Sequence, residues 1–187
     1  MSKQLEGIDP ELGDWLEAQP LFFVATAPSA LDGHPNVSPK GLDTFRVLAE
    51  HEVVYQDLTG SGAETVAHLR DNGRIVLMFC AFEGPPRIVR LHGRGDVVLP
   101  GETAYESLDG RFPPHVGTRA YIRVAVERVS TSCGYAVPLM ELRGPRDVLD
   151  KWSAKKGPEG LREYRAERNA TSIDGLPAYP SPDPAMR

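Results

Sequence analysis

A strand, a loop of small residues and a helix follow one another in the first half of the chain, and the other elements must fold around this unit. Val53–Tyr55 are β-forming residues, and Thr59–Gly62 contains only small side chains. Ser61 and Glu64 have the spacing of a capping box, in which two side chains satisfy free backbone donors at a helix start. Gly73 then predicts the helix end, since glycine commonly follows the last helical turn.

This passage from strand to helix points several backbone N–H groups at one place. Such a place favours an anion, and phosphate is its usual occupant. The same residues also fit a well-capped helix that binds nothing. The local pattern therefore leaves both interpretations open.

The strand just upstream offers a further group for an anion. Pro35 and Pro39 predict an edge or irregular strand, because proline cannot donate to a sheet ladder. Strand alternation places Asn36, Ser38 and Lys40 on one face. Lys40 is thus either a second phosphate ligand or a solvated charge at the edge of a sheet.

Elsewhere the chain is divided into short elements by its 17 prolines. Helices are predicted after Asp9, after Ser61, at residues 102–108 and at residues 145–169, with a break at Gly157. Strands are predicted at residues 21–27, 36–40, 45–48, 53–56, 74–82, 87–98 and 119–129, of which the most apolar, 74–82, should be central. Many short antiparallel strands with few helices predict a mainly β (α+β) fold, a small antiparallel β-barrel with peripheral helices.

Net charge, hydropathy and the positions of the cysteines argue against several classes of function. A net charge of -5 argues against nucleic acid or an anionic membrane as the main partner. No apolar run is long enough to span a membrane, and the first residues lack the apolar core of a signal peptide. Cys80 and Cys133 lie far apart, and no Cys/His cluster suggests a metal site. A cytoplasmic protein with reduced thiols is the expectation.

Several motifs occur in an order that resembles a known family. They are Phe-Phe-Val-Ala-Thr at 22–26, Asp-Gly-His-Pro-Asn-Val-Ser-Pro-Lys-Gly at 32–41, Val-Tyr-Gln-Asp-Leu-Thr-Gly-Ser at 54–61, Asn-Gly-Arg-Ile-Val-Leu-Met-Phe at 72–79 and Arg-Ile-Val-Arg-Leu-His-Gly at 87–93. This order is similar to that of the pyridoxamine 5′-phosphate oxidase-like flavoproteins, which have a split β-barrel. The similarity extends from Asp14 to about Val129.

The resemblance implies a homodimer that holds FMN at its interface. We expect a split-barrel flavin-binding domain at residues 1–140, with a helical extension and an irregular tail at 141–187 packed on the same domain. By position, Lys40, Ser61 and Thr65 would be phosphate ligands. The full set of cofactor-binding residues that it implies is Val37, Ser38, Pro39, Lys40, Gln56, Asp57, Gly60, Ser61, Thr65 and Arg90.

Departures from the true oxidase predict a different reaction partner. Residues 61–65 lack the Arg-Lys pair that begins the oxidase's phosphate helix, Ile88 stands where the oxidase has a glutamine, and the oxidase's C-terminal Arg-Leu-x-Pro is missing. We therefore expect an FMN-dependent oxidoreductase acting on another small molecule, with no catalytic acid or base identifiable from sequence. Two alternatives stay open: a non-enzymatic flavin- or haem-binding protein of this fold, and a reductase that uses the deazaflavin F420.

Overall fold

One curled antiparallel sheet dominates the computed structural model of the protein, which describes residues 3–179. The last residues of the predicted C-terminal tail, 180–187, lie outside the described residues, as do residues 1 and 2. Within the described range the strands are β1 Lys3–Leu5, β2 Leu21–Thr26, β3 Asn36–Gly41, β4 Phe45–Ala49, β5 Glu52–Leu58, β6 Arg74–Cys80, β7 Ile88–Val98 and β8 Thr118–Ser132. Their order is β3-β2-β6-β7-β8-β5-β4, with β1 pairing to β8.

This topology confirms the predicted fold class, a split antiparallel β-barrel with helices outside it. The apolar run that was expected to be central is β6, which pairs with β2 on one side and β7 on the other. The proline-containing strand is β3, which lies at one edge of the sheet as predicted. The three-residue strand β1 was not predicted, since its sequence carries no strand pattern.

Four helices lie within the described residues: α1 Pro10–Glu17, α2 Glu64–Asn72, α3 Thr103–Asp109 and α4 Val148–Arg168. The Asp9 carboxylate accepts a hydrogen bond from the Leu12 backbone N–H at 2.8 Å, which confirms the predicted cap of α1. Gly73 ends α2 in the left-handed conformation, with φ of 72°. The predicted break of α4 occurs at Gly157, where φ is 66°. Among these described helices, none is both long and apolar enough to cross a bilayer.

The predicted capping box of α2 is wrong. The helix begins at Glu64, and the preceding residue, Ala63, provides no side-chain cap. Glu64 instead accepts a hydrogen bond from the backbone N–H of Ile173 at 3.3 Å. A tertiary contact with the C-terminal region thus uses the carboxylate that the local pattern assigned to the helix start.

The main core lies on the inner face of the curled sheet. The rings of Phe22 and Phe79 stack with centroids 5.3 Å apart, and Phe45 meets Phe79 edge-on at 4.9 Å. Such ring pairs contribute about 0.5–1.5 kcal/mol beyond the burial of their surface. This aromatic cluster ties β2, β4 and β6 together, and α2 closes the core beside them.

Strand β5 is buried on both faces, which explains its continuous apolar run. Tyr55 points into the main core, whereas Val54 packs in a second, smaller cluster beneath α3. Because successive side chains of a strand point to opposite faces, Gln56 and Asp57 are carried into two different environments. The candidate site forms on the Asp57 side.

Candidate functional site

A buried carboxylate forms the base of the candidate site. Asp57 near the end of β5 is 1% exposed, and three side chains donate hydrogen bonds to it. Lys40 Nζ and Arg119 Nε each lie 2.8 Å from the carboxylate, and the Tyr179 hydroxyl lies 2.6 Å away. The donors come from β3, from the start of β8 and from the C-terminal region, so the carboxylate joins three distant parts of the chain.

Burial and charge oppose each other at this carboxylate. Burial alone would raise the pKa of Asp57, but the charges of Arg119 and Lys40 outweigh it and hold that pKa well below its usual range. Burial likewise would lower the pKa of Arg119, but the carboxylate of Asp57 raises it. Asp57 and Arg119 are therefore charged at neutral pH, and with the ammonium of Lys40 the cluster carries one net positive charge.

A small polar cleft of about 210 Å³ lies above this cluster. Its walls come from β3, from the loop after β5, from the first turn of α2 and from the start of β8. It is lined by Ser38, Pro39, Lys40, Leu58, Gly60, Gly62, Glu64, Thr65 and Arg119. The cleft thus brings together the strand lysine and the small-residue loop.

Hydrogen-bond donors face this cleft because Asn36 orients two hydroxyls. Its amide nitrogen donates to Ser38 Oγ at 3.1 Å and to Thr65 Oγ1 at 3.3 Å. Within residues 3–179 neither hydroxyl donates to a protein group, so each O–H can donate to a ligand. The Lys40 ammonium has three N–H groups and uses one of them on Asp57. The arrangement can therefore bind an acceptor-rich group such as a phosphate.

One group in the cleft opposes an anion. The Glu64 carboxylate lies against Gly62, where a side chain larger than hydrogen would collide with it. Glu64 therefore offsets the net positive charge of the Asp57 cluster. The cleft's affinity for an anion rests on the number of its donors rather than on a large excess of positive charge.

A larger cleft of about 560 Å³ adjoins the small one, with which it shares Pro39, Lys40, Leu58 and Gly60. On its other side it is lined by Leu142 and Leu149, which follow β8 in the chain. Gln56 also lines it, and the side-chain nitrogen of Gln56 donates to Thr118 Oγ1 at 2.9 Å. Its volume lies within the range of roughly 300–1,000 Å³ that is usual for small-molecule sites.

The predicted cofactor-binding residues do not all lie together. Ser38, Pro39, Lys40, Gly60 and Thr65 line the small cleft, and Gln56 lines the larger one, with Asp57 buried at the base. The carbonyl of Ser61 turns towards the Asn169 amide, 3.5 Å away. Val37 and Arg90 lie on the outer face of the sheet, where Arg90 Nη1 donates to Ser132 Oγ at 3.2 Å.

Sequence reasoning missed Arg119, Asn169 and Tyr179. Arg119 and Asp57 are 62 positions apart and Tyr179 and Asp57 are 122 apart, so no local spacing connects them. The alternation of β8 shows only that Arg119 begins a strand. Asn36 was placed on the correct face, but its role in orienting two hydroxyls needs the structure.

Comparison with known proteins gives one family. The family model described as "Pyridoxamine 5'-phosphate oxidase" matches residues 8–133. The "Pyridoxamine 5'-phosphate oxidase family protein ustO" of Aspergillus flavus is 41% identical over 199 aligned positions, which cover 97% of this chain and 78% of that protein.

Solved structures share the fold. A variant of HupZ from Group A Streptococcus is 26% identical with a TM-score of 0.52, and the match covers 67% of this chain and 99% of HupZ. A protein of Lactobacillus delbrueckii, solved as a provisional pyridoxamine 5'-phosphate oxidase, is 19% identical with a TM-score of 0.53. That match covers 68% of this chain and 98% of the other. In each case the match covers about two thirds of this chain.

Proposed function

The chain belongs to the pyridoxamine 5'-phosphate oxidase family, and on this premise we propose that it is an FMN-binding flavoprotein that catalyses a redox reaction on a small molecule. The observation that carries the proposal is the donor-lined cleft at the base of which Lys40 and Arg119 meet. A phosphate-bearing cofactor requires such a cleft, and neither a flavin without phosphate nor haem requires it in this form.

The residues of the cleft fit the phosphate of FMN. The Lys40 ammonium and the free O–H groups of Ser38 and Thr65 can each donate to a phosphate oxygen. The first turn of α2 adds the positive end of a helix dipole. The adjoining cleft offers room for the rest of the cofactor and for a substrate beside it.

When bound, the flavin supplies the electron-transfer chemistry. The chain's own residues bind and orient. Asp57 fixes Lys40 and Arg119 at the cleft, and Leu142 and Leu149 add apolar surface to the wall of the larger cleft. Gln56 also lines that cleft, where its amide nitrogen is held by Thr118 Oγ1 and the Tyr121 hydroxyl.

We propose further that the substrate is not pyridoxamine 5'-phosphate. The start of α2 carries Glu64 in a stretch where the oxidase has an Arg-Lys pair. A carboxylate at this place would repel a second phosphate near the cofactor, so an uncharged or cationic small molecule suits the site better.

The absorbance spectrum of the purified protein tests the cofactor. We expect the two visible bands of an oxidised flavin, and release by heat of a fluorescent compound that co-migrates with FMN. A Soret band would contradict the proposal in favour of a haem protein, and a single band of deazaflavin type would favour F420. A protein that is colourless and stays so after incubation with FMN would contradict flavin binding altogether.

The functional unit is proposed to be a homodimer. On the outer face of the sheet, four side chains lie next to one another on neighbouring strands: Pro39, Phe23, Met78 and Arg90. In addition, β3 is an edge strand, so one side of its backbone has no neighbouring strand within residues 3–179. Val37 on this face is 65% exposed. A second copy would cover both the half-exposed apolar face and the open edge, which is a common use of two-fold symmetry. Val37 and Arg90, which do not line the small cleft of their own chain, would then have a role at the interface.

Sedimentation equilibrium at micromolar concentration tests the assembly. We expect a species of twice 20.5 kDa, with an interface of roughly 2,000 Å² or more in total. Val37→Glu should shift the equilibrium towards monomer, whereas Leu31→Glu, at an exposed turn, should not. A monomer of 20.5 kDa that binds FMN stoichiometrically would contradict a shared site.

A further inference from the structure

The C-terminal strap, which we define as residues 169–179, lies outside the part of the chain that the family model matches. It doubles back on itself: the Ala178 N–H donates to the Ala170 carbonyl at 2.8 Å, and Thr171 bridges to Pro177. Its two ends are buried, with Asn169 0% and Tyr179 8% exposed. A segment without helix or long strand is thus held firmly against the barrel.

The strap is fixed to the small-residue loop and to α2. The Asn169 amide donates to the Gly60 carbonyl at 3.0 Å. The backbone N–H of His34, just before β3, donates to Asp174 at 2.9 Å, and the N–H of Ile173 donates to Glu64. The strap therefore contacts the loop, the helix and the turn before the edge strand that together surround the small cleft.

The strap also holds Arg119 on two sides. Arg119 Nη1 donates to Asn169 Oδ1 at 2.8 Å, and the guanidinium lies over the Tyr179 ring with 4.8 Å to the ring centroid. Arg119 Nε is used by Asp57. Within residues 3–179 the other terminal nitrogen, Nη2, donates to no protein acceptor, although the side chain is only 6% exposed and lines the small cleft. A nearly buried guanidinium thus presents free N–H groups to the cleft.

The Tyr179 hydroxyl contacts the same carboxylate oxygen as the guanidinium does. It donates to Asp57 Oδ2, which also accepts from Arg119 Nε. The Lys40 and Arg119 donors that remain are then available to an anion. The orientation of the guanidinium and the availability of its donors both depend on the strap.

We propose that Arg119 is a phosphate-binding residue of this cleft and that Asn169 and Tyr179 of the strap are its positioning residues. This inference rests on the proposed FMN site and deepens it, since it assigns part of the phosphate subsite to the C-terminal extension. The strap acts through Arg119 and Asp57, and so it affects the phosphate and leaves the flavin ring untouched.

Parallel titrations with FMN and riboflavin, which lacks the phosphate, test the inference. We expect the wild type to prefer FMN, and Tyr179→Phe to reduce that preference by about three- to tenfold through FMN alone. Arg119→Lys keeps the charge beside Asp57 but loses the fork of the guanidinium, and should reduce the preference by about tenfold or more. Tyr164→Phe, on α4 against Trp152, is the control and should keep the wild-type preference.

Each result decides the inference. Equal losses for FMN and riboflavin in Tyr179→Phe would mean that the strap only supports the fold, and an unchanged preference in both variants would mean that it has no part in the site. Either result overturns the inference and leaves FMN binding intact. A wild type that does not distinguish the two ligands also overturns it.

A wild type that binds neither flavin would end the proposed function, and the inference is then decided with inorganic phosphate. We expect phosphate to raise the melting temperature of the wild type more than chloride of equal ionic strength does, and to raise that of Tyr179→Phe by less. The absence of any such difference in the wild type would overturn the phosphate subsite itself.

Discussion

Two adjacent residues of β5 belong to two buried polar networks of different character. Asp57 faces the inner side and is held by two cations and a phenol. Gln56 faces the other side, where its amide donates to Thr118 and to the Tyr121 hydroxyl, which in turn donates to Asp109. The first network contains three charged side chains and borders the small cleft, whereas the second contains one charged side chain, that of Asp109 at its exposed end.

The difference shows that a buried ion cluster costs desolvation energy and that it can leave hydrogen-bond donors for a ligand. Charges that are taken out of water contribute little net stability even when they are well paired, because desolvation offsets their attraction. The Gln56 network satisfies the buried ends of β5 and β8 without that cost. The Asp57 cluster keeps unused donors at the wall of a cleft, which is typical of a binding site and has no use in a purely structural network.

The largest expected effect is on stability. Asp57→Asn leaves Lys40 and Arg119 without a counter-charge, and should lower the free energy of unfolding by about 3–5 kcal/mol, as removal of one partner from a buried pair does. Asp109→Asn makes the same carboxylate-to-amide replacement in the Gln56 network. It should lower the free energy of unfolding by only about 0.5–1.5 kcal/mol. Urea unfolding at neutral pH measures both. Equal losses of unfolding free energy in the two variants would mean that the charge of the Asp57 cluster makes no energetic difference.

Acid should affect the two networks differently as well. The pKa of Asp57 is lower in the folded protein than the ordinary value of 3.8, so the stabilisation from its ionised form is complete above that value and is lost as the pH falls below it. The free energy of unfolding should therefore fall more steeply below about pH 4 in the wild type than in Asp57→Asn. Asp109→Asn retains Asp57 and should follow the wild type; a shallow wild-type profile would contradict the charged cluster.

Ligand binding provides the next comparison. Lys40→Ala removes a donor from the small cleft and should weaken FMN by about 1–3 kcal/mol, the range of a charge-assisted hydrogen bond. Lys155→Ala, an exposed lysine of α4, is the matched control and should have no effect. Isothermal titration measures both. An unchanged affinity in Lys40→Ala would remove this residue from the site without excluding FMN.

The smallest expected effect has the opposite sign. Glu64→Gln removes the carboxylate that opposes an anion in the small cleft and should tighten FMN by up to about 1 kcal/mol, the range of a partly solvated charge pair. Riboflavin affinity should stay unchanged, because it has no phosphate to repel. Weaker FMN binding in this variant would mean that the contact of Glu64 with the strap matters more than its charge.

The sequence predicted the fold well because the fold depends on local signals. The edge position of β3 follows from its prolines, the central position of β6 from its apolar run, and the end of α2 from Gly73. The capping box failed because a contact with Ile173, more than a hundred residues away, uses Glu64. Local spacing shows which contacts a side chain can make with its neighbours in sequence. It does not show that a residue far away in sequence will bind the same side chain.

Only the part of the site that depends on local sequence patterns was predicted. Parity placed Ser38 and Lys40 on one face, and the small-residue loop lies beside them as expected. The pairing of Lys40 with Asp57 and the part played by Arg119 and Tyr179 depend on how the sheet curls and where the tail returns. Those are tertiary relations, and only the resemblance to a family placed Asp57 near the site at all.

The central claim is that the Lys40–Arg119 cleft holds the phosphate of a flavin, and a fluorescence titration of the wild type with FMN tests it most directly. We predict saturable quenching of FMN fluorescence at one FMN per chain, with inorganic phosphate competing for the site. Titration of the wild type at micromolar concentration without quenching and without heat would contradict the account, and quenching that phosphate does not affect would place the cofactor elsewhere.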